Sequence, residues 1–232
     1  MNRIDVLQAL LDERPQATYL EIGVQRGKVL LNLRAQRKIA VDPEFHISRM
    51  QRWTSCLRNP SNFANQYFEM TSDAFFAEHA QVLNSGIDVA FVDGLHTHEQ
   101  SHRDVCHVLK YLKHDGVIVM HDCNPVSAAA ALFAYSPDEA AQQGHPEWTG
   151  EWTGDVYKAV LQLRAERTDL NTCVLDCDYG LGIIRRGKPV STLNLSLDQI
   201  SRMTYEDFAS QRKELLNLRS PDVFPSEFRR AA

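Results

Sequence analysis

Missing from this sequence are the patterns that mark several large protein classes. No C-x-x-C occurs among its five cysteines, an odd number. Neither a disulfide framework nor a cysteine zinc cluster is therefore expected, and the thiols read as reduced, in a cytoplasmic protein. Cys173 and Cys177 lie close in sequence, yet free thiols are the simpler reading there too. No apolar run is long enough to cross a bilayer and none at the N-terminus resembles a signal peptide, so no membrane partner is expected. Lysine and arginine number 25 against 30 acidic residues, and they cluster only at Arg185-Arg186-Gly187-Lys188 and Arg229-Arg230. Such short runs are usually solvated surface, and nucleic acid is not an expected partner. Also absent is G-x-G-x-x-G, the turn that a dinucleotide pyrophosphate requires.

What is present is an ordinary globular composition. The 232 residues are 44% hydrophobic and 24% charged, which suits one α/β domain with additions and suffices for a full core. Residues 1–14 carry a helical apolar stripe at Ile4, Leu7, Leu10 and Leu11 that Pro15 ends. A first strand is expected at 19–22, a helix at 28–37, and further strands at 39–41, 67–70, 87–92 and 116–120. Helices are expected at 99–112 and 156–167, the latter capped by Asp155. Residues 172–175 and 182–185 read as a closing antiparallel pair. Alternating strands and helices imply a doubly wound, mainly parallel Rossmann-like α/β sheet. The expected organisation is a single domain, 1–232: an N-terminal helix, a core over 15–190, and a helical tail over 191–232. Within the core, 136–153 repeats Glu-Trp-Thr-Gly at 147–150 and 151–154 and reads as a lid or an aromatic-stapled surface loop.

The residue stretch richest in chemical meaning is Tyr19-Leu-Glu21-Ile-Gly23-Val-Gln-Arg-Gly27, followed by Ile39-Ala-Val-Asp42. Glycines let backbone approach a ligand, and a carboxylate after the next strand takes ribose hydroxyls. G-x-x-x-G behind an acid suits a nucleoside without a pyrophosphate, and S-adenosylmethionine is the commonest. Ligands of open α/β sheets sit beyond the carboxyl ends of the strands. Those positions hold Glu21 and Gly23, Asp42, Ser72 and Asp73, Asp93 and His96, and His121 and Asp122. This is more acid than a nucleoside needs, and the surplus at Asp93 and Asp122 beside His121 points to a divalent metal.

Glu21-x-Gly-x-x-x-Gly27, Val41-Asp42-Pro43, Phe91-Val-Asp93-Gly-Leu-His96 and Gly116-Val-Ile-Val-Met-His-Asp122 together resemble class I S-adenosylmethionine-dependent methyltransferases. Within them the chain is similar to metal-dependent O-methyltransferases of the macrocin and cephalosporin-hydroxylase-like group, over roughly 15–190. The resemblance implies that Glu21, Gly23, Gly27 and Asp42 hold the methionine and ribose parts, with Ser72 and Asp73 near the adenine. It implies metal ligation by Asp93 and Asp122, with Asp93 also bordering the donor, and His96 as base. His121 stands where the family has the first acid of a pair. Mg²⁺ prefers oxygen, whereas imidazole suits Mn²⁺, Fe²⁺ or Zn²⁺, so His121 is a ligand of a different metal, or no ligand, or an acid/base group.

Methyl transfer is an in-line displacement at a sulfonium carbon. The protein must orient an acceptor hydroxyl and take its proton, work for which a metal and a histidine are suited. The expected function is thus an O-methyltransferase acting on a small hydroxylated molecule, a sugar or natural product, with homo-oligomerisation open. Two alternatives stand beside it: a metal-dependent hydrolase or hydroxylase-like protein on the same fold, and a non-catalytic nucleoside-binding subunit. A competing pattern, His98-Glu99-Gln100-Ser101-His102, matches the H-E-x-x-H of zinc peptidases. It opens a helix straight after a buried parallel strand and lacks a third ligand pattern, so the zinc reading is weak.

Overall fold

The structure, a computed structural model, describes residues 1–224; Arg229-Arg230 and the last part of the expected tail lie outside the described residues. Helix α1 (Arg3–Asp12) starts at Asn2, whose side chain accepts the Ile4 and Asp5 N–H groups while Asp5 answers at the Asn2 N–H, a reciprocal cap. Then come β1 (Thr18–Ile22), β2 (Arg37–Asp42), α2 (Arg49–Arg58), β3 (Asn65–Glu69), α3 (Ser72–Glu78), β4 (Ile87–Val92), α4 (His98–Tyr111) and β5 (Leu112–Met120). The rest is α5 (Pro137–Gln142), α6 (Tyr157–Glu166), β6 (Leu170–Leu175), β7 (Leu181–Arg186), α7 (Leu197–Arg202), α8 (Tyr205–Leu215) and the short β8 (Leu218–Arg219). Among the described residues no helix is long and apolar enough to cross a membrane.

The strands run in the order β3-β2-β1-β4-β5 in one compact unit and β7-β6-β8 in a second. β1 pairs in parallel with both β2 and β4, β2 with β3, and β6 antiparallel with β7. β1 and β4 are buried at every position. That is why TYLEI and IDVAFV show no alternation, for a parallel strand covered on both faces has no polar side. Chain order reverses between β1 and β4, which makes their carboxyl ends the topological switch point.

The described residues group into two compact units, one comprising 1–94, 104–119 and 224, the other 95–103 and 120–223. The first buries Leu7, Leu10, Tyr19, Leu20, Ile39, Phe75 and Phe91. The second buries the inner faces of α6 and its strands, with the Tyr157 and Phe208 rings 4.3 Å apart.

One expected element is absent. Residues 28–36 form irregular turns instead of a helix, although Val29, Leu30 and Leu33 are buried as a helical pattern would have them. Side chains from later in the chain take the carbonyls a helix would use. The Lys38 ammonium donates to Leu30 O (2.9 Å), Leu33 O (2.8 Å) and the Asn62 side-chain oxygen, while the Asn59 and Asn62 amides reach Leu31 O at 3.2 and 2.9 Å. Conversely, the loop expected over 136–153 contains the short α5, and the tail forms two helices capped by Ser196 and Thr204.

Candidate active site

In the first unit the ends of three parallel strands are stitched together. The Gly23 N–H donates to Val41 O (3.0 Å) and the Asp93 N–H to Ile22 O (2.8 Å). Gly23 has φ +85°, and a Cβ built there would lie 1.9 Å from the Asp93 carbonyl oxygen, so only glycine fits. Asp42 ends β2 with its carboxylate accepting the Gln25 N–H (2.7 Å) and the Glu44 N–H (2.8 Å). Gly27 (φ +69°) closes the same loop against Ile47. Expected donor residues Glu21, Gly23, Gly27, Asp42 and Asp93 therefore share the carboxyl edge of β1, β2 and β4.

Glu21 is 1% exposed and accepts the Tyr19 hydroxyl at 2.6 Å. Burial pushes its carboxyl up to about 8; the Tyr19 hydrogen bond opposes this and the nearby Asp93 charge adds to it. Glu21 is thus mostly protonated at neutral pH. The Asp93 carboxylate meets the Arg3 guanidinium of α1 at 3.2 Å, a partner that sequence spacing gave no sign of. Ser72 and Asp73 open α3 after the Thr71 cap. The Ser72 hydroxyl is turned to Asp104 (2.6 Å), and Asp73 is exposed.

In the second unit His96 is held from several directions. Its Nε2 lies 3.3 Å from Asp122 Oδ2, and its ring stacks on Trp152 with centroids 4.9 Å apart at 26°. Trp152 is itself fixed by its indole N–H to Leu132 O (2.8 Å). A Cβ at Gly154 would lie 1.8 Å from the His96 carbonyl oxygen, and the Asp155 carboxylate caps α4 at the His98 N–H (2.7 Å). The Tyr179 hydroxyl donates to Glu151 at 2.7 Å. The second Glu-Trp-Thr-Gly copy is consequently built into the surroundings of His96, while most of the first is exposed. The duplication was visible in sequence; that its second tryptophan carries the candidate base was not.

His121 is buried between two carboxylates. Its Nδ1 is 3.0 Å from Asp122 Oδ1, and its Nε2 is 3.6 Å from Asp178 Oδ1. Asp122, Asp178 and Tyr179 all have positive φ (59°, 49° and 61°). This left-handed conformation costs a non-glycine residue roughly 1–2 kcal/mol. Two backbone bonds hold it, Cys123 N–H to Gly180 O (3.0 Å) and Asn124 N–H to Tyr179 O (2.8 Å). Strain concentrated around a buried histidine–carboxylate cluster is characteristic of functional sites.

The H-E-x-x-H pattern has another explanation. The His98 ring is bonded to the Gln162 amide oxygen at 2.9 Å, and burial pushes the His98 and His102 imidazoles below their ordinary range. Among the described residues neither belongs to a group of three metal-capable side chains.

Residues 20–123 match the family model described as a methyltransferase domain. No curated protein matches the chain. Solved structures share its fold. They include the O-methyltransferase TomG of Streptomyces achromogenes, involved in tomaymycin synthesis and bound to S-adenosylmethionine (15% identity, TM-score 0.54, 78% of each chain covered). The methyltransferase PaMTH1 of Podospora anserina, bound to S-adenosylhomocysteine, gives 18% identity and a TM-score of 0.53 over 79% of this chain and 76% of that one. An O-methyltransferase of Bacillus cereus, also with S-adenosylhomocysteine, gives 13% and 0.52 over 80% of each. At these identities the likeness is one of fold.

Proposed function

We propose that this chain, which the domain match makes a methyltransferase on the fold of enzymes solved with S-adenosylmethionine or its demethylated product, methylates a hydroxyl of a small molecule such as a sugar or natural product. The observation that carries the donor reading is the Gly23 turn, pressed against Asp93 at the switch point with Asp42 beside it. Backbone approaches the ligand closely there, and carboxylates flank it on two strand ends. Glu21, Gly23, Gly27 and Asp42 hold the methionine and ribose parts. Ser72 and Asp73, at the start of α3, remain the candidates nearest the adenine.

The Asp122 carboxylate, 3.3 Å from His96 Nε2, favours the imidazolium that forms when His96 takes the acceptor's proton. Trp152 keeps the ring in one plane. Within the second unit the Asp122 carboxylate and the His96 imidazole are the pair that could ligate a divalent ion, with Asp93 the further ligand that the family resemblance implies. An imidazole among carboxylates suits Mn²⁺, Fe²⁺ or Zn²⁺ better than Mg²⁺. Bound there, the ion would lower the pKa of the acceptor hydroxyl. A nitrogen that ligates it is unavailable as base, so the two roles of His96 exclude each other. His121, with a carboxylate near each ring nitrogen, serves as the partner that orients Asp122. The hydrolase or hydroxylase-like reading draws no support from it.

Calorimetric titration with S-adenosylmethionine and S-adenosylhomocysteine, with and without Mg²⁺ or Mn²⁺, tests the proposal. Micromolar binding that Asp42→Ala and Glu21→Ala weaken is expected. No binding under any condition would overturn the donor site. Retained donor binding with no methyl transfer to any acceptor, unchanged by His96→Ala and Asp122→Ala, would leave a nucleoside-binding subunit.

A further inference from the structure

Helix α2 is the one element of the first unit's described helices whose apolar side chains point away from the core. Of its ten residues none is buried. Met50, Trp53 and Leu57 are 70%, 62% and 64% exposed, and Phe63 just beyond the helix is 72% exposed. Positions 50, 53 and 57 fall in one stripe of an α-helix. At 100° per residue Arg49 and Arg58 flank that stripe on opposite sides, and the helix carries no acidic residue. What anchors it is Arg52, whose guanidinium turns inward to lie 4.1 Å from the Tyr67 ring centroid and 5.5 Å from that of Phe45. The helix is thus attached through a cation–π contact while its apolar stripe faces solvent.

The charge around it runs against that of the chain. Residues 24–63 hold eight lysines and arginines but only Asp42 and Glu44 as acids, in a chain of net charge −5. Asp42 is taken by backbone N–H groups. The loop bearing Arg26 and Lys28 is tied to the residues ahead of α2 by His46 N–H to Gln25 O (2.9 Å). Among the described residues Arg26, Lys28, Arg49 and Arg58 form no ion pair with a carboxylate.

We propose that α2, with Phe63 and the 25–28 loop, is a docking surface for an anionic lipid bilayer. A short helix with Trp, Met and Leu on its outer stripe and arginines at both margins lies in the plane of such an interface. Its apolar side chains enter the acyl boundary and its guanidinium groups meet lipid phosphates. Charge decides between occupants. A second copy laid α2 against α2 would bring arginines together with no carboxylate on the helix to receive them. A nucleic acid would use the cations and the two aromatics, leaving Met50 and Leu57 uncovered. The absence of a spanning helix bears only on insertion across a membrane, not on attachment to its surface. This inference is independent of the methyl-transfer reading.

The test is co-sedimentation of the full chain with phosphatidylcholine vesicles, with and without phosphatidylserine, at low and high salt. Binding only to the phosphatidylserine vesicles, weakened by salt, is expected. Arg49→Gln/Arg58→Gln should lower the partition coefficient on the order of tenfold. Trp53→Ser/Leu57→Ser should abolish binding. Because these side chains are solvent-exposed, circular dichroism and donor affinity should be unchanged in both variants. No binding to anionic vesicles, or binding indifferent to Trp53→Ser/Leu57→Ser, overturns the proposal. A concentration-dependent dimer lost in that variant assigns the surface to a second copy. Salt-sensitive binding of single-stranded RNA in place of vesicles assigns it to a nucleic acid.

Discussion

Glu21 is a buried acid whose proton has consequences for both stability and binding. In the folded chain it keeps that proton up to about pH 8, against 4.5 for the free group. Between those values the folded state holds more protons than the unfolded one. Its contribution is therefore complete below the lower value and is lost as pH rises through the window. Glu21→Gln should flatten that decline, which urea midpoints measured at both ends would show. If the ammonium of a bound donor lies beside Glu21, it draws the carboxyl pKa down and releases a proton. Donor titrations in buffers of different ionisation enthalpy should then register net proton release below pH 8, absent in Glu21→Gln. Gly23→Ala should cost about 2 kcal/mol or more through backbone strain and overlap. It should also abolish donor binding, because the Asp93 carbonyl occupies the space a methyl group needs. Trp152→Leu acts differently. With the His96 ring no longer stacked, methyl transfer should fall roughly ten- to a hundredfold with donor affinity unchanged, a division that calorimetry and a turnover assay would separate.

At the scale of elements, the irregular segment over 28–36 shows why part of the fold was legible and part was not. β1, β4 and the 116–120 part of β5 were readable because buried strands are continuous apolar runs, whereas the partly exposed 112–115 part of β5 offers no such run. The antiparallel β6–β7 pair was readable from the turn between its strands. The missing helix was not, because its carbonyls are claimed by Lys38, Asn59 and Asn62, contacts that no local periodicity encodes. Lys38 is fully buried, and burial pulls its ammonium down to about 8. Lys38→Met relieves that cost but strips Leu30 O of its donor, while Leu33 O keeps the Asn59 amide and the Asn62 oxygen keeps that of Asn65. A net loss of about 1 kcal/mol is therefore expected in thermal unfolding. Helix α2 escaped sequence reading for the opposite reason, since it has no core face for a pattern to announce. The candidate donor residues were legible because the ends of parallel strands are where such sheets bind ligands. The Arg3–Asp93 and His96–Trp152 contacts were not, because they join residues far apart in sequence.

At the scale of the whole molecule, ligand binding and folding are one equilibrium. S-adenosylhomocysteine at a hundredfold excess over its dissociation constant should stabilise the chain by about 2.7 kcal/mol, visible as a rise in Tm that Asp42→Ala removes. The same linkage gives α2 a separate importance. Because Arg49, Met50, Trp53, Leu57 and Arg58 are exposed and it is Arg52 that turns inward, substitutions at those five positions are screened only by what they touch outside the molecule. Evolution can rewrite that face without loss of fold or of donor affinity. Across descendants of this sequence, attachment is consequently free to diverge faster than chemistry.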